Sequence, residues 1–128
     1  MKGYLTNIEK DTKENTDYRR VLYTGKNSQL VLMNINAGDE IGEEVHTLDQ
    51  FLRFEEGEGV VILDGVKHKI KAEMAVVVPA GTIHNVINTG ITSLKLYTIY
   101  SPPEHKDKTI HHTKQDEKEE HFDGGTTE

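Results

Sequence analysis

The chain of 128 residues contains no cysteine and no tryptophan. The absence of cysteine excludes disulfide bridges, thiolate nucleophiles, and zinc or iron–sulfur sites built on cysteine. It is compatible with a reducing compartment. The hydrophobic content is 34%, which is low for a compact domain and indicates that part of the chain is not packed.

Long apolar runs are also missing. The first twenty residues lack the apolar segment of a signal peptide, and no run is long enough to span a membrane. We therefore expect a cytoplasmic protein that does not enter a membrane.

Basic surface is scarce as well. The formal net charge is -7, because 22 acidic residues outnumber 15 lysines and arginines. Nucleic acid is an unfavourable partner for such a chain, since phosphate binding needs a basic surface.

The two ends of the chain differ in composition from its middle. Residues 101–128 contain almost no apolar side chains, so we expect a polar and largely disordered tail, with at most a marginal helix near Lys114–Glu120. Residues 1–19 are expected either to form an edge strand, exchanged between subunits, or to lie loosely on the surface.

Residues 20–100 carry the pattern of an all-β domain. Short β-branched runs are separated by turn residues every eight to twelve positions, a rhythm typical of sandwiches and barrels. Asp64-Gly65 between two such runs is a strong hairpin signal. The runs Val60–Leu63 and Val76–Val78 are apolar on both faces, so something must cover the outside of the sheet. A second subunit is the simplest cover, and we expect a homodimer.

Four polar residues in strand-like segments are candidates for a site. Glu44, His46 and Gln50 stand at even spacings, which places them on one face of a strand. His84 follows the turn residues of "PAGT" in a second strand-like segment. Two imidazoles and one carboxylate are the ligands of the facial triad that binds iron(II). The alternative is that both histidines are hydrogen-bonded core residues and that Glu44 is exposed.

The two stretches resemble the two motifs of the cupin superfamily. The first motif, G-x5-H-x-H-x3,4-E-x6-G, falls on Gly38, Glu44, His46, Gln50 and Gly57. The second, G-x5-P-x-G-x2-H-x3-N, falls on Glu73, Pro79, Gly81, His84 and Asn88. Glu44 therefore stands in place of a histidine, Gln50 in place of the glutamate, and Glu73 in place of a glycine.

The resemblance implies a jelly-roll β-barrel, also called a double-stranded β-helix, over residues 20–100. It also implies that Glu44, His46, Gln50 and His84 bind one divalent transition metal: manganese, iron, nickel or zinc. The overall pattern looks like single-domain bacterial cupins described as mannose-6-phosphate isomerase-like.

Several functions are compatible with this resemblance. The leading expectation is an enzyme that isomerises, epimerises or ring-opens a polar small molecule such as a sugar or keto acid, with Glu44, His46 and His84 as catalytic residues. A non-haem dioxygenase is the alternative enzyme if the metal is iron. A small-molecule binding or sensor module without turnover, and a metal-free structural barrel, are the alternatives outside catalysis.

Other residues are weaker candidates. Arg53 is expected in a surface or interface ion pair, with contact to an anionic substrate as the alternative. Phe51 and Phe54 are expected to pack. Tyr97 and Tyr100 lie on opposite faces of the last strand, and a core role is favoured over a place in the pocket.

Four histidines lie in the tail, at positions 105, 111, 112 and 121. Their polar surroundings predict solvated side chains with no preformed geometry. A tail that folds over the mouth of the barrel is the alternative.

Overall fold

The computed structural model describes residues 1–128 and is dominated by nine β-strands. The strands are β1 (Arg19–Thr24), β2 (Gln29–Ile35), β3 (Asp49–Glu56), β4 (Glu58–Leu63), β5 (Val66–Lys71), β6 (Ala75–Val78), β7 (His84–Ile87), β8 (Leu94–Ser101) and β9 (Ile110–His111). A helix, α1 (Ile8–Glu14), precedes them, and a single 3-10 turn (Lys114–Asp116) follows them.

The strands form two antiparallel sheets. The larger sheet has the order β6-β3-β8-β2-β1-β9, and the smaller has the order β5-β4-β7. The two sheets enclose one hydrophobic core. The predicted all-β jelly-roll barrel is therefore confirmed.

The predicted hairpin at Asp64-Gly65 is also confirmed. It joins β4 to β5, with Leu63 paired to Val66 across the turn. Both turn residues have positive φ, 46° at Asp64 and 83° at Gly65. A two-residue loop with this backbone twists in the same sense as the strands, which fixes the register of the hairpin.

The interior of the barrel changes character along its strands. On β8, Leu94 and Leu96 are buried in the apolar core, whereas Thr98 and Tyr100 continue the same inward face with polar atoms. On β3, Gln50 is the buried polar residue at the corresponding level, paired with Tyr100 in the ladder. One end of the barrel is thus packed with aliphatic side chains, and the other offers hydrogen-bonding groups.

The N-terminal segment forms α1 rather than an edge strand, which corrects the expectation for residues 1–19. The Asn7 side chain caps the helix by accepting a hydrogen bond from the Lys10 N–H at 3.1 Å. Glu9 and Lys13 form an i,i+4 pair at 2.9 Å. These are local signals that a search for strand periodicity overlooks. No helix in the structure is long and apolar enough to cross a membrane.

Helix α1 packs against the outer face of the larger sheet, next to β2, β3 and β8. Leu32 points outward from β2 and is nevertheless only 2% exposed. The chain therefore covers part of its own outer face, which weakens one reason for expecting a second subunit. Val77 on the edge strand β6 remains exposed. The homodimer stays a prediction.

The C-terminal tail is also placed differently from the expectation of a largely disordered segment. β9 pairs with β1, with His111 opposite Arg19. Further along, the Phe122 N–H donates to the Glu104 carbonyl, and the Thr127 N–H donates to the Thr24 carbonyl. The tail is held by backbone pairing and polar contacts, which require no apolar face. Its composition therefore did not reveal its position.

The close approach of β4 to β7 leads to a first prediction. A Cβ at Gly59 would overlap the carbonyl oxygen of Ile87. Gly59→Ala should therefore force the strands apart and lower the free energy of unfolding by about 2 kcal/mol. Gly25→Ala is the matched control, because its Cβ would meet only ordinary contacts. Urea unfolding of both variants checks this, and equal losses would contradict the close approach.

Candidate functional site

The candidate site lies at the polar end of the barrel. The buried polar residues Gln50, His84 and Thr98 face inward there, together with Tyr100. Arg19, at the start of β1, is 3% exposed. Apolar side chains fill the other end of the interior, so the polar groups inside the barrel are gathered at this end.

Glu44 and His84 are brought together by backbone pairing. The Glu44 N–H donates to the His84 carbonyl at 2.8 Å, and the His84 N–H donates to the Glu44 carbonyl at 2.9 Å. The Gly81 N–H donates to the His46 carbonyl at 2.8 Å, so the turn before His84 holds the neighbouring loop. Glu44 and His46 precede β3, which begins at Asp49. The expected single strand carrying Glu44, His46 and Gln50 is therefore wrong, although the residues still gather at one end of the barrel.

The side chains of Glu44, His46 and His84 are neighbours. The His46 Nε2 lies 3.2 Å from the Glu44 Oε2, and the rings of His46 and His84 have centroids 5.2 Å apart. The His84 Nδ1 lies 2.9 Å from the Thr82 carbonyl oxygen, to which it donates. This contact fixes the ring orientation and leaves Nε2 as the nitrogen with a free lone pair.

The Glu44–His46 contact shifts the pKa values of both groups in the directions that favour an ion pair. Burial opposes ionisation of Glu44, but the contact with His46 and the charge of Arg19 leave the pKa of Glu44 below its ordinary value. Contact with Glu44 raises the pKa of His46, against the effect of its own burial. Both shifts favour a carboxylate beside an imidazolium whose Nε2 faces the carboxylate.

Gln50 contributes a buried oxygen without a partner. Its Nε2 donates to the Thr98 hydroxyl at 3.0 Å, whereas its Oε1 accepts no hydrogen bond. A buried carbonyl oxygen without a partner costs free energy, and a hydrogen-bond donor or a cation beside it would remove that cost. Two imidazoles, a carboxylate and an amide oxygen suit a divalent transition metal in kind. No three His, Asp or Glu side chains are arranged as a ready metal-binding group.

The C-terminal tail supplies a wall of the site. The Glu104 Oε2 lies 3.7 Å from the His46 Nδ1, and the Glu104 Oε1 lies 2.9 Å from the His121 Nδ1. The ring of His105 meets that of Tyr100 edge-on, with centroids 5.2 Å apart. Burial lowers the pKa of His105 to about 2, so its ring is neutral. The expectation of a solvated His105 is therefore wrong.

Gln29 holds this part of the tail in place. Its amide is 1% exposed and donates to the Thr24 hydroxyl at 2.9 Å and to the His105 carbonyl at 2.7 Å. Its Oε1 accepts from the N–H groups of Glu104 and His105, at 3.3 and 3.0 Å. One buried side chain thus fixes two consecutive tail residues above the barrel interior.

Arg19 connects the barrel to the later part of the tail. Its Nη1 donates to the Glu117 Oε2 at 2.7 Å and lies 3.2 Å from the His111 Nδ1. Its Nε is buried and has no partner. The guanidinium also lies over the ring of Tyr18, 5.2 Å from its centroid.

A cavity of about 470 Å³ lies between the barrel mouth and the tail. Its walls are almost entirely polar, and they bring Arg19, Glu44 and Glu104 to one space. The later tail contributes Glu117, Lys118, Glu119, Glu120 and His121. A polar organic molecule of moderate size would find both charged and hydrogen-bonding partners in this space.

The remaining candidates have structural roles. Arg53 pairs with Glu55 at 3.0 Å, as expected for an ion pair. Phe54 is in the core, and Phe51 lies against Tyr97 with ring centroids 6.4 Å apart. Tyr100 is buried, and its ring also meets His46 edge-on at 6.1 Å, so it combines a core position with a place beside the site.

The other tail histidines differ in exposure: the side chains of His112 and His121 are 73% and 66% exposed, as expected, although each contacts a carboxylate. His111 is buried beside Arg19. The His112 Nδ1 lies 2.7 Å from the Asp17 Oδ1, and His121 contacts Glu104. Arg19, Gln29 and Glu104 were missed by sequence reasoning, because each pairs with residues far away in the chain. The one available signal was the polar Gln29 at the head of an apolar strand.

Comparison with known proteins identifies relatives for most of the chain. A family model described as a cupin domain matches residues 31–100. The uncharacterized protein YrkC of Bacillus subtilis strain 168 is 48% identical over 122 residues, which cover 90% of this chain. The match spans 66% of that protein's length, so the relative is longer than the part it shares with this chain.

Solved structures give the same picture. A crystal structure of a protein from Bacillus halodurans is 45% identical, with a TM-score of 0.88, and the match covers 90% of this chain and 92% of that one. A protein from Thermotoga maritima described as a predicted oxalate decarboxylase is 26% identical, with a TM-score of 0.57. That match covers 59% of this chain and 67% of the other.

The position of Gln29 generates a second prediction. Gln29→Ala removes four hydrogen bonds and leaves buried partners unsatisfied, so the free energy of unfolding should fall by about 2 kcal/mol. Amide hydrogen exchange of the segment from Glu104 to His121 should accelerate at the same time. Gln115→Ala is the control, because this exposed glutamine belongs to the same tail. Unchanged exchange in the Gln29 variant would show that other contacts hold the tail.

Proposed function

Because the chain belongs to the cupin superfamily, we propose that it binds a polar small molecule at the mouth of its barrel and catalyses a proton-transfer reaction on it. Isomerisation or epimerisation of a sugar or of a keto acid is the reaction class that suits the site best. The narrower resemblance to mannose-6-phosphate isomerase-like cupins stays a prediction.

One observation carries this proposal. The Glu44–His46 pair stands beside a polar cavity of about 470 Å³, at the polar end of a barrel whose other end is filled by apolar side chains. A carboxylate that accepts a proton and an imidazolium that donates one are the two groups that such a reaction requires. A barrel with only a structural role would gain nothing from placing an ionised pair there, since burying charge is costly.

The same residues support a metal proposal. His46, His84, Glu44 and Gln50 would hold a divalent transition metal, and the unpartnered Oε1 of Gln50 supports this donor set. His46 and Glu44 would exchange their mutual contact for contacts to the ion. His46 would then be a neutral ligand, and it would act as a proton donor only in the metal-free protein. When bound, such an ion supplies Lewis acidity toward a carbonyl or hydroxyl group of the ligand.

The chain's own residues supply the remaining functions. The Glu44 carboxylate would take a proton from a carbon atom next to the ligand's carbonyl group. Burial raises the pKa of the Tyr100 phenol well above its ordinary value, so the phenol keeps its proton and can donate a hydrogen bond to a ligand oxygen. Glu104 and His105 cover the mouth and limit the access of water to the bound ligand.

An acidic substrate receives support from one relative. The Thermotoga maritima protein is described as a predicted oxalate decarboxylase, whose substrate is a small carboxylate. Keto acids and sugar acids therefore belong in the first panel of compounds. Dioxygenation is the competing reaction class if iron is the metal, because it uses the same ligand types.

Metal retention provides a third prediction. His46→Ala or His84→Ala should abolish the metal content of the purified protein, while Gln50→Glu should tighten binding by adding a charge. His68→Ala is the control, because His68 is exposed on β5, in the smaller sheet. Elemental analysis of the purified variants measures this. Stoichiometric metal in a protein lacking both His46 and His84 would disprove the ligand assignment.

Turnover provides a fourth prediction. Incubation of the protein in D₂O with a panel of sugars, sugar acids and keto acids should place deuterium at the carbon next to a carbonyl group, as read by NMR. Glu44→Gln should abolish the incorporation, because the variant has no carboxylate to accept the proton. Oxygen consumption without deuterium incorporation would favour a dioxygenase. Binding of a compound without either reaction would favour a sensor module.

A further inference from the structure

We infer that Arg19 forms a subsite for the carboxylate of a small organic acid, and that Glu117 of the tail occupies this subsite until the acid displaces it. The inference deepens the proposed function by naming the ligand's charged group and the residue that receives it. It rests on the proposed function only for the role of the pocket as a ligand site.

The first argument is the burial of Arg19. A guanidinium that is 3% exposed requires compensation for the water it has lost. Both of its contacts to the tail use the same nitrogen, Nη1, which serves Glu117 and His111. Nε is buried and unpartnered. The guanidinium therefore has donor capacity that the chain itself does not use.

The second argument is the geometry of the present contact. Carboxylates and guanidinium groups prefer two parallel hydrogen bonds, which use both carboxylate oxygens. Glu117 makes a single bond, through Oε2. A ligand carboxylate that approaches from the cavity, which Arg19 lines, could form the two-bond arrangement that Glu117 does not reach.

The third argument is that the Glu117 contact is easily exchanged. The Glu117 side chain is 41% exposed, and the residue directly follows the single 3-10 turn of the tail. Glu117 therefore gives up little burial when it returns to water. Replacing Glu117 by a ligand carboxylate keeps an anion beside Arg19, so the buried guanidinium is not left unpaired.

The charge of the cavity selects the class of anion. Six glutamates line it, at positions 43, 44, 104, 117, 119 and 120, against the two full cations Arg19 and Lys118. A doubly charged anion such as phosphate is repelled more strongly by these glutamates than a single carboxylate is. A monocarboxylate therefore fits Arg19 better than a phosphate ester does.

The test uses acetate, because acetate is small enough to enter the cavity regardless of the size of the natural ligand. Sodium acetate is titrated into ¹⁵N-labelled full-length protein, with sodium chloride at equal ionic strength, acetamide and inorganic phosphate as references. Acetate should move the Nε–H signal of Arg19 and the backbone amide of Glu117, while acetamide and chloride leave both unmoved. Phosphate should bind more weakly than acetate.

Two variants of equal charge change make the test specific. Glu117→Gln removes the competing carboxylate and should tighten acetate binding about fivefold. Glu119→Gln is the control, because Glu119 lines the same cavity without contacting Arg19. Arg19→Lys keeps the positive charge but replaces the guanidinium, so it should weaken acetate binding.

Two results of this titration would overturn the inference. If Arg19 only fastens the tail, Glu117→Gln will loosen the tail and leave acetate affinity unchanged, which overturns the inference. Equal tightening in the Glu117 and Glu119 variants would indicate a general charge effect and would overturn it too. Repeating the titration with a chelator separates this inference from the metal proposal: acetate binding lost with the metal would place the anion on the ion instead of on Arg19.

Discussion

A buried guanidinium at the mouth of the barrel is the constraint on which the rest of the site depends. Arg19 is almost inaccessible to water, and a charge in that position must find acceptors within the protein. Glu117 and His111 supply them, and both belong to the C-terminal tail. The tail therefore returns to the sheet and pairs with β1 instead of extending into solvent.

The returning tail adds a wall to the mouth of the barrel and so forms a pocket there. Gln29 fixes Glu104 and His105 above the interior, and Glu104 faces the His46 side of the Glu44–His46 pair. Four ionisable side chains thus lie in a row, in the order Arg19, Glu44, His46 and Glu104. Each of them has a neighbour of opposite charge, which allows so many ionisable groups to share a small space.

The fold could be predicted from sequence to a large extent. Short β-branched runs between turn residues and the Asp64-Gly65 turn are local signals, and they determine strands and hairpins directly. The residues Glu44, His46 and His84 could be named because their spacing between turn residues resembles a known motif. Their backbone arrangement could not, since Glu44 joins His84 through an isolated bridge outside any regular strand.

The contribution of the tail was beyond sequence reasoning for a physical reason. Its contacts are single hydrogen bonds and ion pairs between residues far apart, such as Arg19 with Glu117 and Gln29 with His105. Such contacts leave no periodicity, and polar composition alone indicates disorder. The titration of His105 tests most directly whether the tail lies over the site. Because burial lowers the pKa of His105 to about 2, its ring NMR signals should not change between about pH 8 and pH 5, where an exposed histidine gains a proton. A His105 ring that titrates near pH 6.5, about the ordinary value, would show that the tail lies in water and would contradict the account.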